Sequence, residues 1–110
     1  MNIRIAFRGM NHSASIEEYA RKELEKLRKF LHNEQEPIFF DLVLEADSQH
    51  LHHKVELRVN SKHFHLMANR EGKDLYLELD HVIKIMKQEV KKHKEKALDK
   101  RNHPNGLTRP

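Results

Sequence analysis

Lys84, Lys87 and Lys91 stand at intervals of three and four residues. On a helix turning about 100° per residue, that spacing gathers three ammonium groups into an arc of about 60°. Lys94 extends this ridge, while Lys92 and Lys96 fall elsewhere around the same cylinder. A second basic row, Lys22, Lys26 and Lys29, comes earlier in the chain, with Arg21 and Arg28 on its other flank. Ammonium groups on flexible stems hold phosphates without reading bases, because they offer point charge rather than a directional fork. The chemistry of these lysines is therefore non-covalent: shape- and charge-driven binding of a folded RNA. A row of lysines is also what any solvated helix shows. That plain reading weighs more on the earlier row, which Glu17, Glu18, Glu23 and Glu25 balance, than on the later one, which has only Glu89, Glu95 and Asp99.

The chain has ten histidines, and the densest group is His50, His52 and His53 with His63 and His65. Alternate residues of a strand can put two imidazoles on one side, where zinc accepts nitrogen ligands. No carboxylate or cysteine completes a recognisable ligand spacing, so the expectation is no metal site and no cofactor. The rings then belong to a polar loop and an exposed strand face. A further option is that they gain charge below about pH 6.5 and strengthen attachment to RNA. An enzyme finds little support. Gly9, Gly72 and Gly106 are isolated rather than grouped in a phosphate loop, and Glu17 with Glu18 sits at a helix start rather than as a paired acid and base. No small-molecule substrate is expected. Tyr76 can stack on a base or edge the core, and is read as packing.

The elements that must position these side chains follow from periodicity. Ile3, Ile5 and Phe7 alternate with Arg4 and Ala6 over Asn2 to Arg8, a half-buried strand stopped by Gly9. Ser13 and Ser15 offer two caps for the next helix, and Ser15 with Glu18 fits a capping box. Ile16, Ala20, Leu24, Leu27 and Leu31 follow at helical spacing, with Tyr19 and Phe30 at the edge of the stripe; the helix ends before Asn33. Ile38 to Glu45 reads as a strand with Ile38, Phe40, Leu42 and Leu44 on one face. Asp47 to His53 reads as a loop. Val55 to Val59 and Phe64 to Ala68 read as antiparallel strands around a turn at Asn60, Ser61 and Lys62. Asp74 caps a last helix with the stripe Leu75, Leu79, Val82, Ile83, Met86 and Val90. It is expected to fray between Lys96 and Arg101. Pro104, Gly106 and Pro110 mark a closing segment expected to be disordered.

The order is β-α-β-β-β-α. A helix between the first two strands implies a parallel pair joined by a right-handed crossover. One apolar face on the sheet and one stripe per helix predict an α+β two-layer sandwich: a four-stranded mixed sheet with both helices on one face. Residues 1–101 form a single domain and 102–110 a flexible tail.

Composition agrees with one small domain. The 110 residues are 37% hydrophobic and 35% charged, enough for one core and little more. The absence of cysteine excludes disulfides, iron–sulfur clusters, thiolate zinc sites and cysteine nucleophiles. No apolar run nears the roughly 18 residues of a membrane span and no signal-peptide pattern is seen, so a cytoplasmic protein without membrane contact is expected. The charge of +4 hides a gradient. Residues 1–80 hold 12 basic and 14 acidic side chains, whereas residues 81–110 hold 9 and 3. A concentrated cation at one end steers polyanions.

These residues resemble a known family. Ala68, then Asp74-Leu75-Tyr76, Leu79-Asp80 and the run Lys92 to Lys96, together with Ser13 at a cap and Lys26-Leu27 near the first helix's end, are similar to the pattern of the bacterial ribosome hibernation-promoting factor and protein Y family. That family also goes by the names ribosome-associated inhibitor and ribosomal subunit interface protein. The resemblance spans about residues 2–98. It implies a fold similar to double-stranded-RNA-binding domains. It also implies binding to 16S rRNA at the decoding region of the small (30S) subunit, within the 70S ribosome. The messenger and transfer RNA sites would be blocked there, and translation stopped in stationary phase or stress. The chain resembles short members that lack the C-terminal dimerisation domain of long forms. Its tail after Lys96 is not the acidic extension typical of protein Y, which favours the branch that in some bacteria assists pairing of whole ribosomes. The chain departs from the pattern at Ile85-Met86-Lys87-Gln88-Glu89, where a lysine and an arginine are expected, though Lys84 and Lys87 offer charge one turn away. Leu77 and Glu78 replace the usual alanines, and the hairpin around Asn60 to His63 is slightly long. The alternative is a basic interaction module for an acidic protein or another structured RNA.

Overall fold

The computed structural model describes residues 2–47, 49 and 51–102, with side chains as far as Glu95. Its elements are β1 (Asn2–Arg8), α1 (Ala14–Phe30), β2 (Phe39–Asp47), β3 (His52–Asn60), β4 (His65–Gly72) and α2 (Leu75–Asn102). The four strands form one sheet in the order β1-β2-β3-β4. β1 runs parallel to β2, in register Ile3 to Phe40 and Ile5 to Leu42, and the other neighbours are antiparallel. The expected α+β architecture is therefore the observed one.

Alternation along the strands sends Phe40, Leu42 and Leu44 of β2, Val55, Leu57 and Val59 of β3, and Ala68 of β4 to the same buried face. Ala20, Leu24 and Leu27 of α1 and Leu79, Val82, Met86 and Val90 of α2 complete this single core. Both helices therefore lie on one side. Emptying the Phe40 position would cost about 3–5 kcal/mol, a large share of the about 5–15 kcal/mol that holds a domain together.

Local chemistry explains the element ends. Ser13, in extended geometry, caps α1: its Oγ accepts from the Ile16 N–H at 3.3 Å. Ser15 lies inside the first turn, its Oγ 3.2 Å from that of Ser13, so the capping box with Glu18 does not form. Asp74 caps α2, its Oδ1 accepting from the Leu77 N–H at 3.2 Å. Gly9 has φ of 67°, and a β-carbon there would stand 2.3 Å from the Ala46 carbonyl oxygen. Only glycine fits that close backbone approach.

The elements outrun the side-chain pattern in three places. β3 begins at His52 rather than Val55, because Asp47 and Ala46 of β2 still offer it partners. The expected loop from Asp47 to His53 is accordingly shorter. β4 continues to Gly72, paired with His53. α2 continues to Asn102, beyond the expected fraying. The closing segment with Pro104, Gly106 and Pro110 lies outside the described residues. Among the described residues, no helix is long and apolar enough to cross a membrane.

Candidate nucleic-acid interface

α1 and α2 run in the same direction. Near their starts, the Tyr19 hydroxyl donates to Asp80 Oδ1 at 2.5 Å and the Tyr19 and Tyr76 rings meet edge to face, centroids 5.1 Å apart. Further along, Lys94 Nζ donates to the Phe30 carbonyl at 3.2 Å and lies 5.2 Å from the centre of the Phe30 ring. These contacts hold the helices side by side.

On α2 the apolar stripe faces the sheet, so the side chains about half a turn away face outward. Lys84 and Lys91 are exposed and Lys87 is half-buried. Among the described residues, no carboxylate stands within ion-pair distance of any of the three. They share the outward arc expected from their spacing. Lys92, by contrast, stands 3.4 Å from Glu89. Lys94 turns its ammonium inward, onto the last carbonyls of α1, where a cation is favoured by the exposed C=O groups and the helix dipole. The Lys96 side chain lies outside the described residues.

The α1 row is differently placed. Lys22, Lys26 and Lys29 are all exposed, but Lys22 stands 3.5 Å from Glu18 and Lys26 3.0 Å from Glu23. Lys29 has no ion pair among the described residues. Exposed pairs of this kind are worth little and open readily. On the uncovered sheet face Arg4 meets Asp41 at 3.3 Å and Arg58 meets Glu56 at 3.1 Å, while Arg8 and Lys54, which line the same face, have no ion pair among the described residues. Lys84, Lys87 and Lys91 thus put three cations without an ion pair on one helix, and further ones stand at Lys29 and on the sheet face.

The histidines do not converge. His53 and His65 sit opposite Gly72 and Asn60, at the two ends of the β3–β4 ladder, about 20 Å apart at strand rise. His52 Nε2 lies 2.7 Å from Glu71 Oε1, and this hydrogen bond holds the Glu71 carboxyl below its usual range. His65 Nδ1 meets Asn60 Oδ1 at 2.9 Å. His50 lies outside the described residues. Among the described residues, no three His, Cys, Asp or Glu side chains are grouped to hold a metal ion.

Three networks had no clear signature in the sequence. Glu34, after α1, accepts from the Ser61 hydroxyl at 2.7 Å and lies 2.9 Å from His63 Nδ1, tying the α1–β2 connection to the β3–β4 hairpin. Burial alone would raise the Glu34 pKa, but the Ser61 and His63 hydrogen bonds outweigh it and hold it below 4.5. Glu78 is buried at the start of α2, 3.2 Å from Arg70 Nε and 3.3 Å from His81 Nδ1. Here too the two partners outweigh the cost of burial and lower the pKa. The third is the Tyr19–Asp80 bond, which pushes the Tyr19 pKa up to about 12. Asp80 is the one partial clue, since the helical wheel puts it on the same flank as Tyr76 and Lys87.

Comparison with known proteins bears on this arrangement. The fold matches the N-terminal domain of Thermus thermophilus protein Y with a TM-score of 0.71 and 20% identity, covering 84% of this chain and 99% of that one. It matches a ribosomal subunit interface protein from Coxiella burnetii with a TM-score of 0.68 and 20% identity, covering 86% and 99%. No curated protein matches the chain. The family model described as sigma 54 modulation protein / S30EA ribosomal protein matches residues 3–98, and the chain belongs to that family.

Proposed function

We propose that this protein is a ribosome hibernation factor. It binds 16S rRNA at the decoding region of the small subunit, fills space that messenger and transfer RNA require, and so inhibits translation in stationary phase or stress. The setting is cytoplasmic. The partners are the small subunit and the 70S ribosome, with ribosome pairs as a further setting for the same contact. No catalytic step is involved.

The observation that carries this reading is the arc of Lys84, Lys87 and Lys91, exposed or half-exposed and free of ion pairs among the described residues, on a helix whose other face is anchored in the core. Family membership and the named fold relatives, a protein Y domain and a ribosomal subunit interface protein, support the ribosome as the polyanion. Lys22, Lys26 and Lys29 on α1 add to the contact, Lys22 and Lys26 exchanging their carboxylates for phosphates. Lys92 extends the basic field toward the helix end, beside Lys94, whose ammonium joins the two helices, and ahead of Lys96 in the sequence. Such contacts position the protein on the shape of the RNA rather than on its sequence.

Competition tests the reading. Messenger RNA and transfer RNA loaded on small subunits should displace the bound protein at constant salt. A basic module made for an acidic protein would be indifferent to whether the decoding site is filled.

A further inference from the structure

Tyr76 is an aromatic side chain left 41% exposed near the start of α2. Its neighbour Tyr19 is not free to move, since its hydroxyl is held by Asp80. The edge-to-face contact between the two rings, with planes at 78°, fixes Tyr76 in turn. In that geometry Tyr19 covers at most one face of the Tyr76 ring. Among the described residues, the Tyr76 hydroxyl makes no hydrogen bond. The result is an aromatic ring held in place and partly open to solvent.

Its position along α2 gives the ring a use. Tyr76 precedes Lys84 by eight residues, about 12 Å along the helix axis, and the wheel puts it on the same flank as Lys87. Between them stands Asp80, and Asp74 and Glu78 are also acidic. No lysine stands between Tyr76 and Lys84, so this stretch of the helix has no ammonium of its own to hold a phosphate. An uncharged, flat group is what it can accept. Resting on the RNA-binding reading above, we propose that Tyr76 stacks on an unpaired base of the RNA strand whose phosphates lie along Lys84, Lys87 and Lys91. The ligand is then RNA with a single-stranded or splayed-out nucleotide next to the docked backbone. A ring face accepts any base, so the contact adds affinity without sequence preference.

The full chain has two tyrosines and no tryptophan, so stacking can be read from tyrosine fluorescence. The probes are a single-stranded oligouridylate and an RNA duplex of equal length, each titrated at several salt concentrations. Tyr76→Phe should bind oligouridylate within about twofold of wild type, while Tyr76→Ala should lose about tenfold or more. Tyr76→Leu keeps an apolar contact with Tyr19 but offers no ring, and should lose as much. Neither loss should extend to the duplex, and neither should alter the salt slope, because no phosphate contact is removed. Wild-type fluorescence should fall on binding oligouridylate, and the fall should persist in Tyr19→Phe. Undiminished oligouridylate binding by Tyr76→Leu, or an equal loss on duplex, would overturn the assignment. The variant Lys84→Glu/Lys87→Glu/Lys91→Glu, run alongside, separates the two levels. If it loses both probes while Tyr76→Leu loses neither, stacking fails and the RNA-binding ridge stands; if it too binds as wild type, the ridge itself fails.

Discussion

The Glu78 carboxylate occupies the space that a side chain on residue 72 would need: a β-carbon built on Gly72 would stand 2.1 Å from Glu78 Oε2. The carboxylate is pinned there by Arg70 and His81, so it cannot yield freely. The glycine at the end of β4 and the buried acid at the start of α2 are therefore one arrangement. Gly72→Ala should destabilise the fold by about 1 kcal/mol or more through overpacking. In a Glu78→Ala background the same change should become neutral or gain about 0.5 kcal/mol, because alanine narrows the unfolded ensemble. A double-mutant cycle in urea measures this, and additive effects would contradict the coupling.

Lys94 and Lys87 occupy the same helix but should fail differently. Lys94 joins the helices through the Phe30 carbonyl and ring. Lys94→Ala should cost about 1 kcal/mol of stability. Lys87→Ala should leave the melting temperature nearly unchanged and lower the salt slope of RNA binding by about one. Thermal melts and salt titrations of both variants test the division.

Tyr19 should ionise late. The hydrogen bond to Asp80 raises its pKa from 10.0 to about 12, so the fold favours the neutral phenol. The stability this contributes is complete below pH 10.0 and is lost as pH climbs toward about 12. In an absorbance titration, Tyr19→Phe should remove the late phase. A late phase that survives the substitution would contradict the assignment.

Glu34 makes the opposite prediction at acid pH. Its folded pKa lies below 4.5, so its contribution is present above that value and lost as pH falls through the folded one. Glu34→Gln should be less stable than wild type at neutral pH, and its stability should fall less steeply below pH 4.5. Urea midpoints measured across that range are the test. Parallel curves for the two proteins would sink it.

Much of this architecture was legible because burial has a period. Phe40, Leu42 and Leu44 alternate, and Leu79, Val82, Ile83 and Met86 recur at three and four, so strand and helix faces could be read without coordinates. The Lys84, Lys87 and Lys91 arc was legible for the same reason. Partners across long separations were not. Nothing in the local pattern distinguishes Lys94, which reaches back 64 residues to Phe30, from Lys91, which reaches nothing described. Glu34 and Ser61 are 27 residues apart and meet only because the hairpin folds back beside α1. His52 and His53 looked like loop residues because polar side chains hide a backbone ladder. Ser13 and Ser15 could not be ranked as caps, since only one sits at the point where the chain turns extended.

Co-sedimentation with purified small ribosomal subunits is the most direct test of the account. Lys84→Glu/Lys87→Glu/Lys91→Glu should melt close to the wild-type temperature, because exposed charges add little to stability, yet should stay in the supernatant where wild type pellets with the subunit. A folded variant that still pellets as wild type does would contradict the claim that this face of α2 meets the ribosome.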